Sequence, residues 1–311
     1  MTIVNKDKLE ALYTALNTAF KEGVTLADVK PSSFSMMVPS TTKIEQYPIL
    51  MMLSTIREWI GPRHVNTVKG EMLKIINRPF EHTLGVQRDD INDGAGLGIL
   101  PFVYKNMGVD AENLWGRLDI EALLANDKWL DGKAFFVADR KFEKSTICNL
   151  TTDALTPVSY AAARLLMMNY KNHAGQSMGI VPDTLLVGPA LEATAKKILE
   201  NDKIVTAYQA VTNDATKLNH VAEANPNYKT AVVEMNPQLT EAAANYWFLG
   251  KTKGVMKPII IQKREVGGLI AWDTDHDQCV KDHDRNDYGC KRRGAAALAM
   301  PPWCFGGLTP A

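Results

Sequence analysis

Two stretches of this sequence carry residue types and spacings that could support chemistry, and the first holds a candidate nucleophile. Residues 175–179 read Gly-Gln-Ser-Met-Gly, which matches the G-x-S-x-G motif with Ser177 as the nucleophile of a hydrolase. That motif requires a strand before the serine and a helix after it. The pattern here predicts the reverse order, because a helix precedes Ser177 and a strand follows Pro182. A loop that ends a helix is the favoured interpretation, and a serine hydrolase is the alternative.

The second stretch, from Asp273 to Asp287, is rich in side chains that bind metal ions. Its acidic residues at positions one, three, five and twelve of a calcium-loop pattern are Asp273, Asp275, Asp277 and Asp284. Position six is Gln278, where such loops have glycine. Residues that could instead form a zinc set are His276, Cys279, His283 and Cys290. The absence of Cys-x-x-Cys spacing counts against zinc, and Gln278 with no clear flanking helices counts against calcium, so a solvated acidic loop is favoured over a metal-dependent enzyme. We therefore predict no catalytic residue, no metal and no cofactor.

The composition is that of a folded protein that can associate with copies of itself. The chain has 311 residues, of which 46% are hydrophobic and 23% are charged. Its 35 basic and 35 acidic residues give a net charge of zero, which disfavours wholesale coating of nucleic acid and permits association. No apolar run is long enough for a membrane span, and the start of the sequence lacks a signal-peptide layout. The cysteine spacing favours a reduced, cytoplasmic place of synthesis.

The elements that must position any site are organised around one long helix. Apolar residues recur at steps of three and four from Leu100 to Ala125, which predicts an amphipathic helix roughly 40 Å long at about 1.5 Å per residue. Gly108 and Gly116 lie inside it and are predicted to bend it. A turn and a short strand, Ala134–Val137, are predicted to follow.

The segments before this helix include several that are predicted to project. Leu9–Phe20 predicts a helix that packs either on its own domain or on a neighbouring copy, and Pro31–Thr42 predicts an extended linker. Tyr47–Trp59 predicts a second helix. The β-compatible run His64–Ile76 and the alternating run from Phe80 predict an extended hairpin. Arms and hairpins with so little core of their own need neighbours to cover their apolar faces.

The segments after the long helix predict mixed helices and strands of an α+β fold. Thr156 is predicted to cap a helix that begins at Pro157 and runs to Gly175, with Lys171 near its end. The other predicted elements are a strand Thr184–Val187, a helix Pro189–Leu199, strands at Ala231–Met235, Tyr246–Leu249 and Pro258–Ile261, and a final apolar segment Ala295–Phe305.

Several stretches together resemble the Mu-like major head subunit (gpT) family, the major capsid proteins of Mu-like phages and prophages. They are Val38–Gly61, Asn77–Gly94, Leu123–Phe136, Pro182–Leu199, Lys257–Glu265 and Asp287–Trp303. They follow one another in the family's order from Val38 to Phe305, so the resemblance covers most of the chain.

This resemblance implies a Hong Kong 97-type phage capsid fold, which is α+β. The parts it implies are an N-terminal arm and lead-in helix at 1–60, an E-loop hairpin at 61–88, a P-domain with a long spine helix at 89–137, an A-domain at 138–254 and a return to the P-domain at 255–311. The implied function is that of a capsid subunit, not an enzyme. Copies would form the hexamers and pentamers of an icosahedral head around double-stranded DNA.

The implied partners are other copies of the chain, with scaffold, decoration and portal proteins as further candidates. Packaged DNA would touch the inner surface only weakly, and no membrane would be involved. The implied location is the virion, after assembly in the cytoplasm of the bacterial host. A phage tube or decoration protein is a further alternative, although neither commonly needs a long spine helix.

Charged and aromatic residues of the predicted hairpin and its flanks are the candidate intersubunit contacts. They are Arg57, Glu58, Trp59, Arg63, Lys69, Glu71, Arg78, Glu81, Arg88, Asp89, Asp90 and Asp93. Ion pairs within one subunit are the alternative for each of them, since exposed pairs contribute only about 0–1 kcal/mol.

Overall fold

Helices and strands alternate irregularly along the chain in the computed structural model, which describes residues 6–48, 72–94, 96–142, 145–172, 175–209, 218–254, 256–274 and 276–309. The helices are α1 (Lys6–Thr25), α2 (Arg88–Asp93), α3 (Leu100–Ala125), α4 (Pro157–Met168), α5 (Pro189–Leu199) and α6 (Gln278–His283). The strands are β1 (Ser35–Pro39), β2 (Ile44–Pro48), β3 (Met72–Ile76), β4 (Arg78–Gln87), β5 (Arg140–Phe142), β6 (Ser145–Ile147), β7 (Leu150–Thr151), β8 (Thr184–Val187), β9 (Lys203–Gln209), β10 (Leu218–Ala224), β11 (Val232–Met235), β12 (Trp247–Gly250), β13 (Ile259–Trp272), β14 (Arg285–Leu298) and β15 (Cys304–Gly307).

The predicted long helix is present as α3, and α1 packs against it backbone to backbone. A Cβ atom on Gly108 of α3 would lie 2.1 Å from the carbonyl oxygen of Phe20, and one on Gly23 of α1 would lie 1.9 Å from that of Lys105. Gly116 lies against Val29 in the same way, because a Cβ atom on Gly116 would lie 2.6 Å from the carbonyl oxygen of Val29. The two glycines of α3 that were predicted to bend it therefore have another role, because they let a second chain segment approach closely. Of the two predicted environments for α1, the structure shows packing on its own chain.

A four-stranded sheet in the order β1-β13-β14-β4 covers the other side of these helices. Its inner face contributes Leu269 and Tyr288 to a core with Phe20, Tyr104 and Met107. The rings of Tyr104 and Tyr288 meet edge to face, with their centroids 6.1 Å apart. This sheet corrects two predictions. The predicted linker at 31–42 contains β1, which pairs with β13 in parallel, and the strand predicted to end at residue 261 continues to residue 272.

A five-stranded sheet in the order β11-β8-β12-β15-β7 forms the second layer. Every residue of β8, β12 and β15 is buried, and helix α5 packs beside β8 and β11. The predicted strand at 184–187 and the predicted helix at 189–199 are confirmed. Thr156 caps α4 in a capping box with Ser159, but α4 ends at Met168 and not at Gly175. Lys171 consequently lies beyond the helix, in an isolated bridge to Ser177.

The predicted hairpin is paired differently from the prediction. Strand β3 forms an antiparallel ribbon with β2, whereas β4 pairs with β14 in the four-stranded sheet. The helix predicted from Tyr47 is wrong at its start, because Tyr47 and Pro48 belong to β2. The rest of that helix and the predicted hairpin tip fall at 49–71, outside the described residues. None of the helices in the described ranges combines the length and the apolar composition that crossing a bilayer demands.

Asn149 is a fully buried polar residue that joins the segment after α3 to the five-stranded sheet. Its side-chain Nδ2 donates to the carbonyl oxygens of Phe135 at 3.0 Å and of Cys304 at 3.3 Å, and its Oδ1 accepts from the backbone N–H of Val137 at 2.9 Å. The amide therefore ties the segment after α3 to the edge of the five-stranded sheet.

We expect Asn149→Asp to lower the free energy of unfolding by about 3 kcal/mol, since a buried carboxylate would face carbonyl oxygens that need a donor. Urea unfolding followed by tryptophan fluorescence measures this loss. Asn201→Asp is the control, because Asn201 is exposed and its substitution should change stability by less than about 0.5 kcal/mol. Equal effects of the two substitutions would contradict the connecting role of Asn149.

Candidate functional site

The β2–β3 ribbon presents large apolar side chains that the described part of the chain leaves exposed. Its register pairs Ile44 with Ile76 and Pro48 with Met72 on one face, on either side of the exposed polar pair Gln46 and Lys74. Ile44 is 44% exposed, Met72 is 49% exposed and Ile76 is 56% exposed. A two-stranded ribbon is marginally stable in water, so large apolar side chains on its free face indicate a surface that another molecule covers. We call the four apolar residues of this face the ribbon outer face.

The opposite face of the ribbon holds it on the molecule. Ile75 is buried, and Leu73 and Tyr47 pack on the main core. The hydroxyl of Tyr47 accepts a hydrogen bond of 2.8 Å from Nε2 of Gln262 in β13. Since one face is committed to the chain's own core, the direction of the ribbon outer face is fixed.

The base of the ribbon is a hydrogen-bonded turn built around Glu45. Its Oε1 accepts from the backbone N–H of Thr42 at 3.0 Å, from that of Thr41 at 2.9 Å and from the hydroxyl of Ser40 at 2.9 Å. These donors, led by the two backbone N–H groups, lower the pKa of Glu45 to about 2. Asn77 donates from Nδ2 to the carbonyl oxygen of Thr42 at 2.9 Å, which links the turn to β4. Glu45 therefore remains charged, and the turn stays intact, across the neutral and mildly acidic range.

Half of the predicted contact residues lie within the described ranges. Those outside are Arg57, Glu58, Trp59, Arg63, Lys69 and Glu71. Arg78 pairs with Glu121 of α3 at 3.1 Å, and Glu81 accepts a hydrogen bond from Thr83 at 2.8 Å. Arg88 approaches Asp284 at 3.9 Å. Arg78 and Arg88 thus make ion pairs within the subunit, as the alternative to a contact between subunits expects. A contact between subunits stays a prediction for all twelve residues.

Asp89, Asp90 and Asp93 form an exposed acidic edge on α2. Among the described residues, no cationic side chain pairs with any of the three carboxylates. Asp89 and Asp90 lie in the first turn of the helix, where negative charge is favourable. These three carboxylates remain available to a partner.

The geometry around Ser177 does not support a hydrolase. Ser177 is exposed, and its Oγ accepts a hydrogen bond of 3.2 Å from the backbone N–H of Gly179. Helix α4 precedes it and strand β8 follows it, so the strand–turn–helix order of a nucleophile elbow is missing.

The acidic stretch at 273–287 is not a loop throughout, because it contains α6 and the start of β14. Asp277 accepts from the hydroxyl of Thr274 at 2.7 Å and from its backbone N–H at 2.9 Å, and these bonds lower the pKa of Asp277. Asp287 pairs with Arg285 at 2.6 Å. Within the ranges that the structure describes, no three ligand-type side chains converge on a point where a metal could bind.

A second open apolar surface lies on the outer face of α4, and the prediction missed it. Val158 is 78% exposed and Leu165, two turns later, is 60% exposed. Their spacing of seven, with alanines at 161 and 162 between them, is the sequence signal that could have found this face.

Two family models of phage head and capsid proteins match the chain between residues 9 and 296. The model described as "Mu-like prophage major head subunit gpT" matches residues 9–153, and the model described as "Phage capsid protein" matches residues 85–296. The two matches overlap at α3 and its flanks.

Two curated relatives agree with these matches. The chain is 32% identical over 109 residues to the major capsid protein of Escherichia phage Mu, a match covering 35% of this chain and 35% of the relative. It is 27% identical over 176 residues to the Mu-like prophage FluMu major head subunit of Haemophilus influenzae strain Rd, covering 54% of this chain and 56% of the relative. The matched regions thus span about a third and about half of these relatives' lengths.

Solved structures establish the fold. The procapsid of bacteriophage JBD30 contains a chain with a TM-score of 0.56 and 20% identity, covering 97% of this chain and 75% of that one. The JBD30 capsid decorated with minor capsid protein trimers contains one with a TM-score of 0.50 and 19% identity, covering 68% of this chain and 91% of that one. The predicted α+β, Hong Kong 97-type capsid fold is confirmed.

Proposed function

This chain belongs to the phage capsid protein family, whose model matches residues 85–296, and we propose that it is the major head subunit of a Mu-like phage or prophage. Its copies form the hexamers and pentamers of an icosahedral shell that encloses double-stranded DNA. The observation that supports this proposal, beside the family, is the ribbon outer face, whose apolar side chains are held in a fixed direction and are left exposed by the described part of the chain.

The balance of charge supports self-association. A chain with 35 basic and 35 acidic residues has little long-range repulsion between its copies. Apolar burial then supplies the attraction at about 25 cal/mol per Å² of surface removed from water. The exposed carboxylates Asp89, Asp90 and Asp93 would meet cations of a neighbour, and such rim pairs set orientation more than affinity.

The division of the chain into an arm, an E-loop, a P-domain, an A-domain and a return segment is part of the proposal. Strand β2 is added to the E-loop, since it is the pairing partner of β3. Scaffold, decoration and portal proteins are proposed partners. The proposed location is the virion, after assembly in the cytoplasm of the host.

Expression of the full chain in a bacterial host tests this function. We expect the purified protein to sediment as large particles, and cryo-electron microscopy to show closed shells with hexameric and pentameric units. A protein that stays monomeric at high concentration over a wide range of ionic strength would overturn the proposal. A fluorophosphonate adduct on Ser177 or stoichiometric bound metal would instead favour the enzyme alternative.

A further inference from the structure

Two carboxylates from different layers of the fold hold the same short turn, residues 32–35. Asp119 of α3 accepts a hydrogen bond of 2.6 Å from the backbone N–H of Ser32 on Oδ2, and one from the hydroxyl of Ser35 on Oδ1. Glu234 of β11 accepts from the backbone N–H of Ser33 at 2.9 Å and also from its hydroxyl. The turn is thereby joined to the long helix on one side and to the five-stranded sheet on the other.

Asp119 lies in this cluster without a cationic partner among the described residues. Its side chain is completely buried, and its charged form is stabilised by the serine donors alone. The ionisable groups that face it are the carboxylate of Glu234 on β11 and the buried thiol of Cys304 on β15. Neither supplies positive charge. Burial first, and the charge of Glu234 to a smaller extent, therefore raise the pKa of Asp119 to about 6, although the serine hydrogen bonds oppose the rise.

We propose that this cluster is a proton-sensitive clasp between helix α3 and the five-stranded sheet, in which Asp119 takes up a proton at mildly acidic pH and the hold on residues 32–35 tightens. On protonation one carboxyl oxygen still accepts from the backbone N–H of Ser32, and the new O–H can donate to the hydroxyl oxygen of Ser35. The buried charge and its repulsion by Glu234 disappear together. The inference rests on the fold alone, so a failure of shell assembly would leave it unaffected.

The direction of the pH effect follows from the raised pKa of Asp119. A carboxyl whose pKa is higher in the folded state than in the unfolded state stabilises the fold at low pH, and that contribution is lost as the pH rises through the folded value. The pKa of Asp119 is about 6 in the folded state, and it returns to the ordinary value of 3.8 when the clasp opens. With these two values, raising the pH from 5.0 to 7.5 should increase the equilibrium constant for opening about tenfold.

Hydrogen–deuterium exchange on the full chain tests the clasp at pH 5.0 and pH 7.5, after correction for intrinsic exchange rates and at one oligomeric state. We expect protection of the amides of residues 32–35 to be about tenfold higher at pH 5.0. In Asp119→Asn this difference should vanish, because a neutral amide can accept from Ser32 and donate to Ser35 at either pH. Amides of β8 in the buried sheet serve as the internal control. The same pH dependence in the native chain and in Asp119→Asn would overturn the proposal.

A second measurement keeps the proposal falsifiable if Asp119→Asn does not fold. Carbon-13 NMR of the side-chain carboxyl of Asp119 in the native chain should show a titration with its midpoint between pH 5 and pH 7. Glu234→Gln, which keeps an acceptor for Ser33 and removes a negative charge, should move this midpoint to lower pH. A midpoint below pH 5 in the native chain, or one that does not move in Glu234→Gln, would overturn the clasp.

Discussion

Replacing Gly108 by valine is expected to lower the free energy of unfolding by about 3 kcal/mol or more, because the substitution forces two helix backbones apart. A Cβ atom at this position would lie 2.1 Å from the carbonyl oxygen of Phe20 and 3.0 Å from the backbone nitrogen of Val24. Both atoms belong to α1, so no side-chain rotation can relieve the clash. Separation of the helices would open the core where Phe20 packs near Met107.

Urea unfolding of the purified chain measures this effect, and Gly98→Val is the matched control. A Cβ on Gly98 meets no atom within 4 Å, and the residue does not require a positive φ. We expect the control to change stability by less than about 1 kcal/mol. Comparable midpoints and slopes for the two variants would show that α1 does not pack on α3 as described.

The second large effect is expected at the ribbon outer face, where the paired substitution Ile44→Lys with Ile76→Glu should abolish shell formation without unfolding the subunit. The two residues lie directly opposite each other, so a lysine and a glutamate would replace the apolar pair by a cross-strand ion pair. The ribbon itself would keep its pairing. Its outer face would lose the two isoleucines, half of the apolar residues that a neighbouring copy is proposed to bury.

Sedimentation and negative-stain microscopy measure assembly in this variant, and circular dichroism measures folding. The control is Ile44→Val with Ile76→Val, which shortens both side chains and leaves the face apolar, so shells should still form. Normal shells from the charged variant would remove the ribbon outer face from the assembly contacts. Loss of assembly in the valine control as well would indicate sensitivity to ribbon geometry instead.

Local patterns predicted the elements whose signals are local. Helix α3, which the apolar stripe predicts, is about four turns longer than the average helix. It is followed by Asn126, which adopts the left-handed conformation that asparagine tolerates. The capped start of α4 and the short buried strand β8 carry equally local signals. These elements could be predicted because the signal for each lies in its own residues and does not depend on a distant partner.

Elements whose identity depends on a distant partner were missed or mispaired. The last two residues of β2, Tyr47 and Pro48, are predicted as the start of a helix. The strand is defined by its pairing with β3, which begins 28 residues after β2 begins. The far half of β13 was missed since Gly267 and Gly268 interrupt its apolar pattern at a bulge. The role of Gly108 is set by α1, which no pattern within α3 reveals.

The sequence indicated that the chain has a surface for contact with other copies, but it did not indicate which residues form that surface. Family resemblance indicated a subunit of an assembly, but exposure of the ribbon outer face depends on which side of the β2–β3 pair meets the core. Asp119 did leave a signal in the sequence, because it is a carboxylate placed directly between the two apolar residues Leu118 and Ile120 of α3. A charge in such a setting indicates a specific polar partner.

The glycine contact between α1 and α3 limits how the N-terminal region can be processed. Proteolysis that removed α1 would expose the surface of α3 around Gly108, including the apolar side chains of Tyr104 and Met107. The remaining chain would then carry an exposed apolar groove that favours aggregation. A cleavage that preserves this packing would therefore fall upstream of Lys6, or would cut the chain after α1 and leave the helix docked on α3.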